Sequence, residues 1–242
     1  MYNYRKCYKE VFAPVLFEME FSLKGSVFHR LVNKKIIQML SYKTLSNSFT
    51  IQFGIYPLCA GYEYLTFTDE RRLGSLLDNE AQAEWDYGES DCDKQMSEAL
   101  AMCKEYLFPY FEHVTDYQSY YNYQIEEFKR HINMLSNTYK KINGDFLQAP
   151  KTDAFFTVSL AIGNYEAARK SRESLLKQNE NAELNKKSNS AFPWPEIIRK
   201  RREEYFLIKS AMDDENREVI DSFIKKNEQH SFESYAKKYN VE

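Results

Sequence analysis

Five residues in the front part of the chain carry side chains of the kind that recognise other molecules. They are Arg30, Gln38, Gln52, Arg72 and Trp85. A guanidinium forks to a carboxylate or a phosphate, an amide donates and accepts hydrogen bonds, and an indole offers a wide apolar surface. Three of the five lie in successive strand-like segments, and we expect all five to converge on the polar face of one sheet. We interpret them as interface or ligand-binding candidates and assign no catalytic residue.

Two adjacent arginines, Arg71 and Arg72, end an aromatic stretch in the sequence "TFTDERRLGSLL". Two interpretations of Arg72 remain open. Its guanidinium either bonds a carboxylate of this chain, such as Glu70 or Glu84, and so fixes the loop, or it bonds a carboxylate that a partner supplies. We expect Arg71 to be solvated.

The sequence offers no clear set of metal ligands or catalytic groups. Its four histidines lie in four separate segments, at His29, His113, His131 and His230. Glu127 and His131 have the spacing of a helical ligand pair, but such pairs are common on solvated helix faces. The sequence lacks a G-x-S-x-G nucleophile elbow and the glycine-rich phosphate loops. We therefore predict no metal site and no cofactor.

The four cysteines, Cys7, Cys59, Cys92 and Cys103, are far apart and form no C-x-x-C pair. This spacing predicts neither a disulfide framework nor a zinc knuckle, and it is typical of a protein in a reducing cytoplasm. Cys103 falls on the apolar stripe of a predicted helix, so we expect it to be a small buried hydrophobic residue.

The charge of the chain argues against two classes of partner. The 242 residues include 33 basic and 36 acidic side chains, for a net charge of −3, which does not suit a protein that holds nucleic acid or an anionic membrane surface. In the basic run "RKRREE", Arg199 and Glu203 are one helical turn apart and neutralise each other. No segment approaches the roughly 18 apolar residues of a membrane span. We expect a cytoplasmic protein that binds another protein, and the oligomeric state is left open.

The front of the chain has the pattern of a helix followed by an antiparallel sheet. Apolar spacing predicts a helix over residues 4–21, bent or begun near Ala13 because Pro14 follows. Three strand-like runs come next, "SVFHRLVN", "KKIIQMLSYKTL" and "SFTIQFGIYPL", and we predict "YEYLTFT" as the fourth. In the third run Phe49, Ile51 and Phe53 alternate with polar residues, which predicts one apolar face. Short polar connections favour a meander of about four strands.

From residue 91 the apolar period changes to that of helices. One stripe contains Met96, Leu100, Cys103, Leu107 and Phe111, and a second contains Tyr121, Ile125, Phe128, Ile132, Leu135 and Tyr139. These stripes predict two long helices that cover the sheet, because a half-buried meander needs a cover on its apolar face. The fold class is α+β, with a sheet domain over 1–145 and an all-α segment over 150–242 that can pack on it.

The all-α segment has a helical hairpin, a polar loop and three further helices. The hairpin covers 153–178 with its turn at Gly163 and Asn164, and the loop covers 179–190. Helices are predicted over 193–212, 213–227 and 231–240. Ser231 is the candidate cap of the last one.

Scattered positions in the front half resemble the bacterial family called domain of unknown function 4304, over residues 5–140. They are Phe12, Leu16, Phe21, Lys24, Gly25, Phe28, Arg30, Gln38, "SFTIQFGIYP", "ERRLGSL" and Trp85. The resemblance implies a bacterial origin and an α+β domain, and it brings no catalytic residue. The hairpin at 153–178 is similar to one tetratricopeptide-type unit, and a solenoid needs about three such units.

Two functions from different classes are compatible with these patterns. The leading hypothesis is a non-enzymatic protein-interaction module, in its narrower form an immunity-type protein that neutralises another bacterial protein. The alternative is an enzyme or small-ligand-binding protein whose pocket lies between the sheet and the C-terminal helices. That pocket would use Arg30, Arg72, Trp85 and His29.

Overall fold

The computed structural model describes residues 3–62, 71–77, 83–87, 91–134, 149–150, 152–184 and 194–241. Their contacts group the chain into two compact units. The sheet unit comprises Met1–Leu58, Glu63–Asp116 and Glu233–Glu242, and the helical unit comprises Cys59–Tyr62 and Tyr117–Phe232. The sheet unit thus includes the C-terminal end of the chain. The predicted domain limits at 145 and 150 stay a prediction.

The sheet unit opens with helix α1, Tyr4–Glu18, which begins where the Asn3 side chain accepts a hydrogen bond from the backbone N–H of Lys6 at 3.1 Å. Tyr8, Phe12 and Leu16 recur every four residues and are fully buried. The sequence predicts the helix from Val11, Val15, Leu16 and Met19, but of these four only Leu16 belongs to the buried stripe and the other three are partly buried. The helix runs on across Pro14. Helix α1 ends before Glu20, whose positive φ of 64° turns the chain towards the sheet.

The sheet is antiparallel, as predicted, with strands in the order β1-β2-β3-β4-β5 and with β6 also paired to β4. The strands are β1 Ser22–Lys24, β2 Val27–Val32, β3 Ile36–Thr44, β4 Ser48–Pro57, β5 Arg71–Arg72 and β6 Trp85–Asp86. Between β2 and β3, Asn33 and Lys34 have φ values of 50° and 54°, and two consecutive residues with positive φ match the right-handed strand twist of a tight hairpin. The predicted strand "YEYLTFT" lies mostly outside the described residues.

The core of the sheet unit lies on the predicted apolar face of the sheet. Phe49, Ile51 and Phe53 are buried there against α1 and the next helices. Those helices are α2, Cys92–Met102, and α3, Phe108–His113, joined by the widened turn Cys103–Leu107. Pro109 has no N–H and would clash with the carbonyl of Glu105 in a regular helix, which accounts for a wide turn at that place.

The cover of the apolar face differs from the prediction in one helix. The predicted stripe from Met96 to Phe111 is buried and packs in the core of the sheet unit. The second predicted covering helix, α4 Tyr117–Met134, groups with the helical unit instead. Helix α1 supplies the other part of the cover, because its own apolar stripe packs into the same core.

The helical unit contains the predicted hairpin, α5 Asp153–Ala161 and α6 Tyr165–Leu184. Its turn uses Gly163 at φ +78°, and Asn164 caps α6 by accepting a hydrogen bond from the N–H of Ala167 at 3.1 Å. Helix α6 continues to Leu184, so the first part of the predicted loop 179–190 is helical. The rest of that loop falls outside the described residues.

The described residues after 193 form two further helices, α7 Trp194–Asp213 and α8 Arg217–Tyr239. The prediction of two helices in place of α8 is wrong, and Ser231 is not a cap. Ser231 is buried in the middle of α8, where its hydroxyl accepts a hydrogen bond from the N–H of Tyr62 at 2.8 Å. The polar stretch before Ser231 contains no glycine or proline, so nothing in it ends a helix. No helix within the described ranges combines the length and apolar character that a membrane crossing requires.

Candidate functional site

Arg30 and Gln38 form a polar bracket on the face of the sheet that α1, α2 and α3 cover, where Gln38 is buried and Arg30 is half-buried. They are cross-strand partners in β2 and β3, and the Arg30 Nε donates to Gln38 Oε1 at 2.8 Å. Gln38 Nε2 donates to the carbonyl oxygens of Phe111 at 2.6 Å and Val114 at 2.9 Å. The amide therefore satisfies carbonyls at the C-terminal end of α3 and ties that end to the sheet.

The remaining contacts of Arg30 are also internal. Its Nη1 donates to the carbonyl oxygen of Met19 at 2.5 Å, and its guanidinium lies 4.6 Å from the ring centre of Phe21. Burial lowers the pKa of Arg30, and the nearby carboxylates of Glu20 and Glu112 act in the opposite direction. These bonds fix the turn between α1 and β1, so Arg30 acts as a structural group.

Gln52 and Arg72 lie on the opposite face, where β4 pairs with β5. Gln52 is buried and its Nε2 donates to the Ser41 hydroxyl at 2.8 Å. Arg72 Nη1 lies 3.3 Å from Glu84 Oε1, with 47% of the Arg72 side chain and 38% of the Glu84 side chain exposed. Arg72 thus pairs with a carboxylate of its own chain, and a contact of its exposed guanidinium with a partner stays a prediction. Arg71 is partly buried, so the expectation that it is solvated is wrong.

The five candidate residues do not form one site. Trp85 is buried in the core, with its ring stacked on Phe49 at 5.3 Å between centroids. Arg30, Gln38 and Trp85 thus lie on the helix-covered face, while Gln52 and Arg72 lie on the other. The expected convergence failed because side chains alternate along a strand whatever their polarity.

A cluster that the sequence did not reveal joins the sheet to the end of α8, within the sheet unit. His29 Nδ1 is 2.8 Å from the hydroxyl of Tyr235, and the His29 ring centre is 4.1 Å from that of Tyr239. The Tyr239 hydroxyl lies 3.8 Å from the sulfur of Met39, the cross-strand partner of His29. The available signal was weak: two tyrosines four residues apart on one helix face.

Burial sets the protonation state of this cluster. His29 is 2% exposed, and desolvation lowers its pKa from 6.5 to about 4, with a smaller contribution from the charge of Lys24. Burial also raises the pKa of Tyr235 to about 12. Both groups are neutral near pH 7 and share one hydrogen bond. The pair is shielded from solvent, and its hydrogen bond ties the end of α8 to the sheet.

The cysteines depart from the sequence prediction. Cys7 of α1 and Cys92 of α2 form a disulfide across 85 residues of sequence, which corrects the expectation of no disulfide. The expectation failed because spacing along the chain does not report which residues meet in space. Cys59 and Cys103 are buried thiols, and burial raises the pKa of Cys103, as expected for a core residue.

Two local pairs of charged residues on helices can be compared with the prediction. Glu127 pairs with Arg130 at 3.1 Å, and His131 is exposed. Arg199 and Glu203 form the predicted pair at 3.2 Å. Metal-ligating side chains come together in one group among the described residues, and it does not include Glu127 or His131.

Helix α7 presents two adjacent large apolar side chains to solvent. Phe206 is 62% exposed and Leu207 is 67% exposed; we call them the α7 apolar patch. The opposite face of α7 is buried through Tyr205, and the Tyr205 hydroxyl donates to Glu173 of α6 at 2.8 Å. The patch therefore sits on a helix that is fixed to its neighbour.

Comparisons with known proteins gave no match to a family model, a curated protein or a solved structure. The resemblances to domain of unknown function 4304 and to a tetratricopeptide-type hairpin stay predictions.

Proposed function

We propose that this protein is a non-enzymatic protein-interaction module that binds a partner protein through the α7 apolar patch. The observation that carries the proposal is the exposure of Phe206 and Leu207, at 62% and 67%. Apolar surface in water is unfavourable, and its burial in an interface is a main source of binding free energy. The patch is a pair of neighbouring residues, which distinguishes it from single exposed apolar residues.

The surroundings of the patch indicate the chemistry of the partner. On α7, Glu203 precedes Phe206 and Leu207 by three and four residues, so it lies beside both. Glu203 pairs with Arg199, which adds one charge of each sign at the edge of the patch. Protein interfaces combine an apolar, aromatic centre with a polar rim. We infer a partner that offers an apolar cleft bordered by side chains of both charges.

Other polar groups support a binding role better than a catalytic one. Arg30, Trp85 and His29 each make an internal contact, and the three contacts are separate from one another. The enzyme alternative requires these same residues to line one pocket. Arg72 keeps an exposed guanidinium and stays a candidate contact of the sheet unit. The narrower proposal is an immunity-type protein that neutralises another protein by occupying it.

The test is a binding experiment with the full chain as bait. A partner captured from a native lysate is purified, and its Kd is measured with the wild type, Phe206→Ser and Phe17→Ser. Phe17, 53% exposed on α1, is the matched control in the sheet unit. Removing about 120 Å² of buried Phe206 surface should cost about 3 kcal/mol, on the order of a 100-fold increase in Kd.

Two results would contradict the proposal. The Phe206→Ser variant binds the captured partner as tightly as the wild type does, or Phe17→Ser weakens binding to the same extent. Self-association of the purified chain that Phe206→Ser abolishes would make a second copy the occupant, and the proposed partner would then be wrong.

A further inference from the structure

Three side chains with metal-ligating atoms meet where α1 packs beside the start of α2. They are Cys7, Cys92 and Asp93, and their ligand atoms all lie within 4.8 Å of one another. Both cysteines are buried, whereas Asp93 is exposed. In the oxidised state the two sulfurs form the disulfide. We propose that the reduced state of the same three residues binds a zinc ion, so that the site alternates between a disulfide and a metal centre.

The ligand set suits zinc. Thiolate sulfur is a preferred ligand of Zn²⁺, and a carboxylate oxygen completes many zinc sites. Two Zn–S bonds of about 2.3 Å at a tetrahedral angle place the sulfurs about 3.8 Å apart. The Cα atoms of Cys7 and Cys92 are 6.3 Å apart, so side-chain rotation is enough to reach that separation. Asp93 Oδ1 is already 4.0 Å from the Cys92 sulfur.

The position of Cys92 places its sulfur at a helix terminus beside Asp93. Cys92 is the first residue of α2, after the cap Asp91. Backbone geometry at the start of the helix therefore holds the Cys92 sulfur and the Asp93 carboxylate next to each other. The exposed Asp93 gives the ion a path from solvent to the buried sulfurs, and the fourth coordination position is left for water.

The two states are related by a balanced exchange. One thiolate of a dithiol reductant attacks a sulfur of the bridge, the S–S bond breaks, and the second thiolate of the reductant releases the remaining cysteine. The reductant becomes a disulfide, and Cys7 and Cys92 each gain a proton. One Zn²⁺ then replaces the two thiol protons, which pass to solvent. An oxidising disulfide reverses the sequence and expels the ion, because a disulfide offers no thiolate.

Both the disulfide and the zinc centre connect α1 to α2, so the fold is retained in both states. Binding of the zinc ion changes the charge of the surface beside Asp93. The site thereby becomes a redox-controlled zinc centre at the edge of the sheet unit. It does not depend on the α7 apolar patch, which belongs to the helical unit.

The experiment uses the full chain in a Cys59→Ala, Cys103→Ala background, which keeps only the bridging cysteines. The protein is reduced with dithiothreitol, desalted without oxygen and titrated with Co²⁺ and then with Zn²⁺ against a chromophoric chelator. We expect one ion per reduced chain, a thiolate-to-cobalt charge-transfer band, release of up to two protons, and no binding to the oxidised chain. In this background Cys7→Ser should lower zinc affinity about 100-fold, and Asp93→Asn should lower it about 10-fold.

Absence of the charge-transfer band from the reduced chain would overturn the proposal. Equal zinc affinity of the parent chain and Cys7→Ser would also overturn it. If Cys7→Ser does not fold, Asp93→Asn decides the matter, because Asp93 is exposed and circular dichroism can confirm that its variant is folded. An unchanged affinity of that folded variant would exclude the three-residue site.

Discussion

Replacing His29 with phenylalanine should remove a pH-dependent part of the stability of the sheet unit. The phenylalanine ring keeps the contact with Tyr239 but loses the hydrogen bond to Tyr235 and the titrating nitrogen. At pH 7 the variant should be less stable than the wild type by about 1–2 kcal/mol, because the buried tyrosine hydroxyl is left without its partner.

The magnitude of the pH effect follows from the pKa of His29. Burial holds this pKa at about 4 in the folded chain, against 6.5 as its ordinary value. Between these two values the unfolded chain binds more protons than the folded chain does, so the free energy of unfolding falls as pH falls. The wild type should lose about 2 kcal/mol between pH 7 and pH 5, and about 3 kcal/mol by pH 4.

The assay is urea unfolding of both proteins at several values of pH, followed by far-ultraviolet circular dichroism. Because carboxylates also titrate below pH 5, the quantity to compare is the stability difference between the wild type and His29→Phe. This difference should shrink and then change sign as pH falls to 4. The matched control is His113→Phe, which replaces an exposed histidine of the same unit and leaves the bond between His29 and Tyr235 in place. A constant difference, or a His29 pKa near 6.5 in an NMR titration, would refute the reasoning.

Three further predictions concern the same fold. Reducing the Cys7–Cys92 bridge in metal-free buffer should lower the free energy of unfolding by about 4 kcal/mol, because the bridge closes a loop of 85 residues. Urea unfolding curves with and without dithiothreitol measure this loss, and coincident curves would contradict the prediction. Gln38→Leu should cost about 3 kcal/mol by the same measurement, since it leaves the carbonyls of buried Phe111 and Val114 and the Nε of half-buried Arg30 without this partner. Arg72→Ala should cost less than about 1 kcal/mol, because its pair with Glu84 is exposed.

Matched variants separate these effects from general damage. Cys7→Ser should abolish the effect of the reductant. Gln118→Leu, at an exposed glutamine of α4, should change the free energy of unfolding little. A loss as large as that of Gln38→Leu would contradict the role of the polar bracket. Lys6→Ala breaks the exposed pair with Glu10 and should match Arg72→Ala within experimental error. A cost above about 2 kcal/mol for Arg72→Ala would mean that its pair is not a typical surface pair.

Local patterns were enough to predict most of the elements. The alternation of Phe49, Ile51 and Phe53 identified the apolar face of β4, because neighbouring strand residues point to opposite faces. The stripe from Met96 to Phe111 identified α2 and α3, although it did not show the widened turn before Pro109. These signals repeat within a few residues, so they are visible in one sequence.

The candidate site could not be predicted in the same way. Placing Arg30 and Gln38 required the register between β2 and β3, and polarity alone put them on the wrong face. Glu84 was available as a partner of Arg72 in the sequence, but so was Glu70. Glu70 lies outside the described residues, and the pair with Glu84 depends on how the folded chain brings residue 84 near β5.

The sequence by itself therefore determined the α+β class, the N-terminal helix, the meander and the hairpin, since short-range spacing of apolar and turn residues specifies each of them. Tertiary structure decided the bond between His29 and Tyr235, the bridge between Cys7 and Cys92, and the burial of both sheet faces. The physical reason is distance along the chain. Each of these contacts joins residues far apart in sequence, and nothing in the periodicity of either segment names its partner.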